Sequence, residues 1–385
     1  LQSAITLGGG SLGSSLFLGV LAGYSLLWLQ PVAIVLGVIM LCAISHVALS
    51  TGQSPFKAIT EEINPVLGWG WAIATILANV VWCLPQFSLG TAAAIQNLLP
   101  ELDKEMELWA KILVCAVLLA VAVAAILAYD RGAKGAKVFD NVLKVMVGLI
   151  VLSFLGVVVK MSVSGNMPWG EIMTGFVPDL SLLTEPSEKY AEFLTKTGEY
   201  AEFWKGKIVG MQQNVMISAA ATAVGINMTF FMPFVLLRRR WGREHRGLAK
   251  FDLWTALLIP YVVATSCVVI AASSQFNLKP ETAYVDGKLD TKLENGYNEL
   301  ADARLQKEHG DEAFAKKSEA EKGDLREKLS DADKKMAAML VKRDAFQLAA
   351  SLKNLTGKTF SHWIFGIGVL GMALSTIIIL MTING

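Results

Sequence analysis

Eight runs of apolar residues, each close to the roughly 20 that carry a helix across a bilayer, fix the class of this chain before any motif is read. They lie at 3–29, 31–50, 68–98, 108–129, 138–160, 210–237, 252–275 and 359–384. Only 17 % of the residues are charged, against about 25 % in a soluble domain, and those are gathered into a few connections. The expected fold class is therefore all-α: a polytopic membrane protein.

Lys and Arg near the span ends set the orientation. Arg238, Arg239, Arg240, Arg243, Arg246 and Lys250 follow the sixth span, and Arg131, Lys134, Lys137 and Lys144 follow the fourth. Both turns have even parity and are expected to be cytoplasmic, as is the N-terminus, in a bacterial plasma membrane. The acidic connection with Glu101, Asp103, Glu105 and Glu107 then lies outside. Basic residues placed this way speak for orientation and not for nucleic acid. Leu1 abuts the first span and Gly385 ends the eighth, so further sequence on both sides is expected.

Two polar stretches interrupt the spans. Residues 161–209 read as an outer loop. Residues 276–358 read as an outward insert, with Leu293, Leu305, Phe314, Leu325, Leu329, Met336, Met339 and Leu340 at helical intervals among Ala, Lys and Glu. That pattern predicts a solvated amphipathic hairpin, dispensable for folding, on which a protein partner could dock.

Two weak points inside spans are more informative. Gly8-Gly9-Gly10-Ser11 sits in the first and Gly225-Ile226-Asn227-Met228-Thr229 in the sixth, with Pro233 soon after. Glycine costs about 1 kcal/mol in a helix interior. Irregular backbone at membrane depth is tolerated only where protein or a polar cavity surrounds it. Interrupted helices at corresponding places in two halves of a chain point to a transporter site. Gly8 and Ile226 would offer backbone groups there. Ser11, Asn227 and Thr229 would offer side-chain oxygens, and Met228 and Met232 soft thioethers.

Other candidates are weaker. Asn79, Trp82 and Gln86 share a face of the third span beside Pro85, a pattern that suits helix–helix hydrogen bonding as well as a cavity wall. His46, His362 and Asp140 fall near span ends, where anchoring explains them. Cys42, Cys83, Cys115 and Cys267 lie in apolar runs and behave as small hydrophobes. No catalytic set, phosphate loop or zinc spacing occurs. No enzyme and no cofactor are expected.

The stretch Ile5 to Trp28, most closely Gly19 and Gly23-Tyr24-Ser25-Leu26-Leu27-Trp28, resembles the first helix of the NRAMP divalent metal transporters. Ser50-Thr51-Gly52, the sixth span and Phe251-Asp252 are similar to that family too. The resemblance implies a LeuT-type fold of inverted five-helix repeats with helices one and six broken at the site. Residues 1–160 would form the first repeat, 210–275 would open the second, and 359–385 would be helix eight. The family's Asp-Pro-Gly-Asn is replaced by Gly8-Gly9-Gly10-Ser11, so its carboxylate ligand becomes Gly8 and its Asn becomes Ser11. Its Met-Pro-His aligns either with ligands at Ile226 and Thr229 or with Met232-Pro233-Phe234, and neither register keeps the His.

The expectation is an alternating-access transporter of divalent metal, held by Ser11, Asn227 and Thr229, without proton coupling. Restoring a carboxylate by Gly8→Asp should then strengthen metal binding. The alternatives are an amino acid or other small organic solute on the same fold, or a non-transporting scaffold or sensor. The topology is testable: a cysteine at Gly310 should react with an impermeant thiol reagent added outside intact cells, and labelling only after permeabilisation overturns it.

Overall fold

The computed structural model describes residues 2–98, 108–130, 133–165, 167–285, 288–289, 291–356, 363 and 365–384. Within them the first span is two helices, α1 (Gln2–Thr6) and α2 (Gly9–Ala22). The second to fifth spans are α3 (Leu29–Thr51), α4 (Pro65–Ala92), α5 (Leu108–Asp130) and α6 (Ala133–Val163). The sixth is again two, α7 (Ala201–Ala223) and α8 (Ile226–Arg238). The seventh is α9 (Leu258–Phe276) and the eighth α15 (Phe365–Asn384). Seven stretches among the described residues are long and apolar enough to cross a membrane, and α2 is a shorter apolar helix beside them. With α1 it completes the eight spans read from the sequence.

The first and seventh spans form the centre. α2 lies along α9 because Gly19 has no side chain: a Cβ there would stand 2.5 Å from the Val269 carbonyl oxygen. Small residues that let backbones approach are how helices associate in lipid, where apolar burial gives no drive. α15 packs between α4 and α6. Large apolar side chains on α4, α5 and α6, such as Leu77, Val81, Leu113, Val145 and Leu152, remain exposed, as lipid-facing helices require. Gly52 closes α3 in the left-handed region at φ 73° and returns its N–H to the Ala48 carbonyl. Arg243 Nε and Arg246 Nη1 then fasten the loop after α8 to Ser50, at 2.8 and 3.1 Å. Arg239 also pairs with Asp140 of α6. Glu101, Asp103, Glu105, Glu107, Arg131 and His362 lie outside the described residues.

The insert departs from the expected hairpin. It is a compact unit of α10 (Thr291–His309), α11 (Asp311–Ala315), α12 (Glu319–Lys328), α13 (Asp331–Leu340) and α14 (Ala345–Thr356). Its apolar residues are not a thin stripe on a solvated surface. Leu300, Leu305, Phe314, Met336, Met339, Leu340, Leu348 and Leu352 are all buried and continuous with the membrane core. α13 rests on α2, and α14 on α6 and α9. A buried polar clamp adds to this. Trp204 Nε1 of α7 donates to Asp333 Oδ1 at 2.7 Å, Arg304 Nε lies 3.3 Å from Asp333 Oδ2, and the Arg304 guanidinium stacks on Tyr200. Local chemistry shapes the helices themselves. Ser318 and Glu321 form a reciprocal cap on α12, and hydrogen bonds to Ser318 hold the Glu321 carboxyl below its ordinary pKa.

The insert is therefore not expected to be dispensable. Replacing 288–353 with a flexible linker would uncover the apolar surface it protects, and the variant should aggregate in detergent. Asp333→Ala, which removes the acceptor for Trp204 and one of the two carboxylates beside Arg304, the other being Glu308 at 2.7 Å, is expected to cost about 1–3 kcal/mol. Asp333→Asn, which keeps an acceptor for Trp204, should cost less. Thermal midpoints of the two variants test the order.

Candidate functional site

Both helix breaks are shorter than the glycine clusters suggested. The first is confined to Leu7 and Gly8, with Gly8 extended at φ −110° and ψ −177°, and helix resumes at Gly9. The second is Val224 and Gly225, the latter at φ −94° and ψ 168°, and helix resumes at Ile226. Residues 9–11 and 226–229, expected to be irregular, are helical, and at each new helix start an N–H finds a side-chain acceptor. Ser11 Oγ donates to the Gly8 carbonyl at 2.9 Å, and Gln86 Oε1 accepts from the Gly9 N–H at 3.1 Å. Asn227 Oδ1 accepts from the Met228 N–H at 2.8 Å, and Thr229 Oγ1 donates to the Ile226 carbonyl at 2.7 Å.

The four half-helices are tied across the gap. Thr6 Oγ1 of α1 donates to Met228 Sδ of α8 at 3.2 Å, and the Ser14 and Thr222 hydroxyls of α2 and α7 lie 3.2 Å apart. Gly37 of α3 leaves the notch that receives Val224. Between the breaks lies a cavity of about 500 Å³. Its polar groups are neutral: Thr6, Ser11, Gln86, Thr222, Asn227 and Thr376, together with the Met228 thioether and the backbone of Gly8 to Gly10. Trp82 and Leu89 supply much of the apolar wall. No acid or histidine lines it among the described residues, and among them no cluster of three His, Cys, Asp or Glu could hold a metal. A second cavity of about 690 Å³ lies under the insert, lined in part by Ser14, Phe17, Met211, Glu299 and Lys342, and shares Ser218 with the first.

Of the residues singled out from the sequence, Gly8, Ser11 and Asn227 line the central cavity and Ile226, Thr229 and Met232 do not. Ile226 and Thr229 belong to the first turn of α8, and Met232 is buried in the core. The Asn227 oxygen accepts from the Met228 amide, which leaves it one lone pair for a ligand. The doubtful face of α4 divides. Trp82 and Gln86 border the cavity, whereas Asn79 is buried and donates to Asn384 at 2.9 Å. His46 is exposed on α3, away from the site. Thr6 and Thr376 were missed, since a lone hydroxyl in an apolar helix usually bonds its own backbone.

Gly8→Asp meets an obstacle invisible in the sequence. A Cβ on Gly8 would lie 2.6 Å from Thr376 Oγ1, so the carboxylate cannot be added without moving α15 or turning Thr376. The notch at Gly37 is equally restrictive. Gly37→Ala should destabilise the protein by about 1–3 kcal/mol by displacing Val224, read as a lowered thermal midpoint, whereas Gly70→Ala, with open space around it, should not.

Residues 1–289 match the family described as natural resistance-associated macrophage protein-like. Among solved structures, the chain is similar to the Eremococcus coleocola manganese transporter, crystallised as a point mutant. The two share 12 % identity at a TM-score of 0.50, over 99 % of this chain and 67 % of that one. A likeness at that identity establishes the fold, which is the LeuT-type inverted-repeat arrangement with helices one and six broken. No curated protein sequence matches the chain.

Proposed function

The chain belongs to the natural resistance-associated macrophage protein-like family, and on that premise we propose that it moves divalent metal ions across a membrane by alternating access. The observation that carries this reading is the meeting of two broken helices at one polar cavity. Helix ends at membrane depth present backbone dipoles to whatever occupies the space between them. The site is altered. Its oxygens are hydroxyl, amide and carbonyl, so a dication there keeps part of its water shell, since hard cations need six or more oxygens. Among the described residues the walls carry no acid or histidine to exchange a proton with the cargo, and on this reading transport is not coupled to protons. The N-terminus lies inside and the insert outside, in a bacterial plasma membrane.

A second reading is favoured by the cavity volume. About 500 Å³ is generous for a bare ion and within the range of small-molecule sites, roughly 300–1,000 Å³. A small organic solute such as an amino acid would fill it. Uptake assays with purified protein in liposomes separate the readings. Mn²⁺ influx, followed by quenching of a trapped fluorophore, is expected without acidification of the lumen. Amino-acid uptake without metal flux would establish the second reading, and metal-dependent proton influx would overturn the uncoupled mechanism. Asn227→Ala is expected to cost about 1 kcal/mol in stability while lowering uptake strongly, because Asn227 lines the cavity and its oxygen accepts the Met228 amide beside the break.

A further inference from the structure

The replacement of the resembled motif's carboxylate by Gly8 leaves a specific point in space to account for. The direction in which a side chain would leave Gly8 ends on Thr376 of α15: its Oγ1 lies 2.6 Å from that Cβ position, and the Ile5 carbonyl oxygen 3.2 Å from the same point. Thr376 is only 5 % exposed and lines the central cavity. Its hydroxyl has no hydrogen-bond partner among the described residues. Threonine in a helix ordinarily turns its hydroxyl to a carbonyl of the preceding turn. Here the neighbouring Ser375 hydroxyl bonds the Met372 carbonyl at 3.1 Å and the Ala4 carbonyl at 3.0 Å. Ser375 thereby pins α15 to α1 beside the break and holds Thr376 toward it. A buried polar atom without a partner calls for a reason; Thr376 lines the central cavity with its hydroxyl turned against Gly8 and shielded from that space, so that a turn about χ1 brings the oxygen to a cargo.

We propose that Thr376 supplies an oxygen ligand to the transported divalent cation, from helix eight, at the place where the resembled motif would set a carboxylate from helix one. The inference rests on the reading of this cavity as the cation site. The donor has moved from one helix to another and has lost its charge, and the ion is held by the Thr376 hydroxyl together with backbone carbonyl and water oxygens. Gly8 is part of the same change, because a side chain at that position and a threonine at 376 compete for one volume. Gly8→Asp alone is therefore expected to weaken or leave unchanged the affinity for Mn²⁺, and Thr376→Asp to strengthen it.

Calorimetric titration of Mn²⁺ into the purified chain in detergent is the test, with size-exclusion profiles to show that each variant is folded. Thr376→Val keeps the shape and removes the oxygen. It is expected to weaken binding about tenfold or more, since even losses behind the ligand shell cost 10–100-fold, whereas Thr376→Ser should stay near the parent. Thr376→Cys should gain preference for Cd²⁺ over Mn²⁺ if position 376 reaches the ion, because a thiolate is a soft ligand, and the split between Thr376→Val and Thr376→Ser tells a ligand from a neighbour. Parent-like Mn²⁺ affinity in Thr376→Val, or no gain for Cd²⁺ in Thr376→Cys, overturns the inference while leaving the cation reading intact. Failure of the parent protein to bind Mn²⁺ overturns that reading, and the inference with it.

Discussion

A peptide group at membrane depth has no water to bond to, and each one left unpaired costs several kcal/mol. This chain breaks two helices there, and the arrangement of the bundle centre follows from how the exposed groups are paired. The Gly8 carbonyl takes the Leu12 amide and the Ser11 hydroxyl, the Gly9 amide takes Gln86, the Ala4 carbonyl takes Ser375, and the Met228 amide takes Asn227. Those partners come from the first, third, sixth and eighth spans. The breaks thus draw α4 and α15 to the centre, and the cavity is the space they enclose. Confining each break to two residues follows the same logic, because every further residue out of helix would need another partner.

The polar groups at the site consequently serve two demands. A hydroxyl that donates to a carbonyl, as Ser11 does, still offers lone pairs to a ligand. An amide oxygen already accepting a backbone N–H, as in Asn227, offers less. The distinction separates residues that build the break from residues available to a cargo. It turns attention from the side chains on helix six to the hydroxyl on helix eight, which no backbone group claims.

Much of this was legible beforehand. Runs of apolar residues indicated all eight spans, since length and hydropathy alone dictate them, and three consecutive glycines in the first span and Gly225-Ile226-Asn227 in the sixth marked where a helix is weakest, although Val147-Gly148 sits inside an unbroken helix. The extent of each break was not legible, because it depends on whether Ser11, Gln86 and Asn227 reach the freed groups, and Gln86 comes from a different helix. Thr376 was hidden for the same reason: it is adjacent to Gly8 only through the packing of α15 on α1. The insert misled through its composition. Charged residues dominate it, yet Met336 to Val341 form an unbroken apolar run, all buried, and that run was the available sign of tertiary packing.

The insert also bears on how charge is selected. The cavity beneath it carries Lys207, Lys342 and Arg343 against the single acid Glu299. Two of these cations are tied down: Lys342 lies over the Phe17 ring of α2, and Arg343 stacks on Phe276 while donating to the Ala338 carbonyl. Several like charges within a Debye length of about 8 Å repel a cation more than they guide it. Ser14 lines this space, Thr222 lines the central cavity, and their hydroxyls lie 3.2 Å apart. For a cationic cargo, discrimination then falls to the central cavity, whose neutral oxygens act through number and distance and not through net charge. Such a site binds a dication more weakly than one that includes a carboxylate.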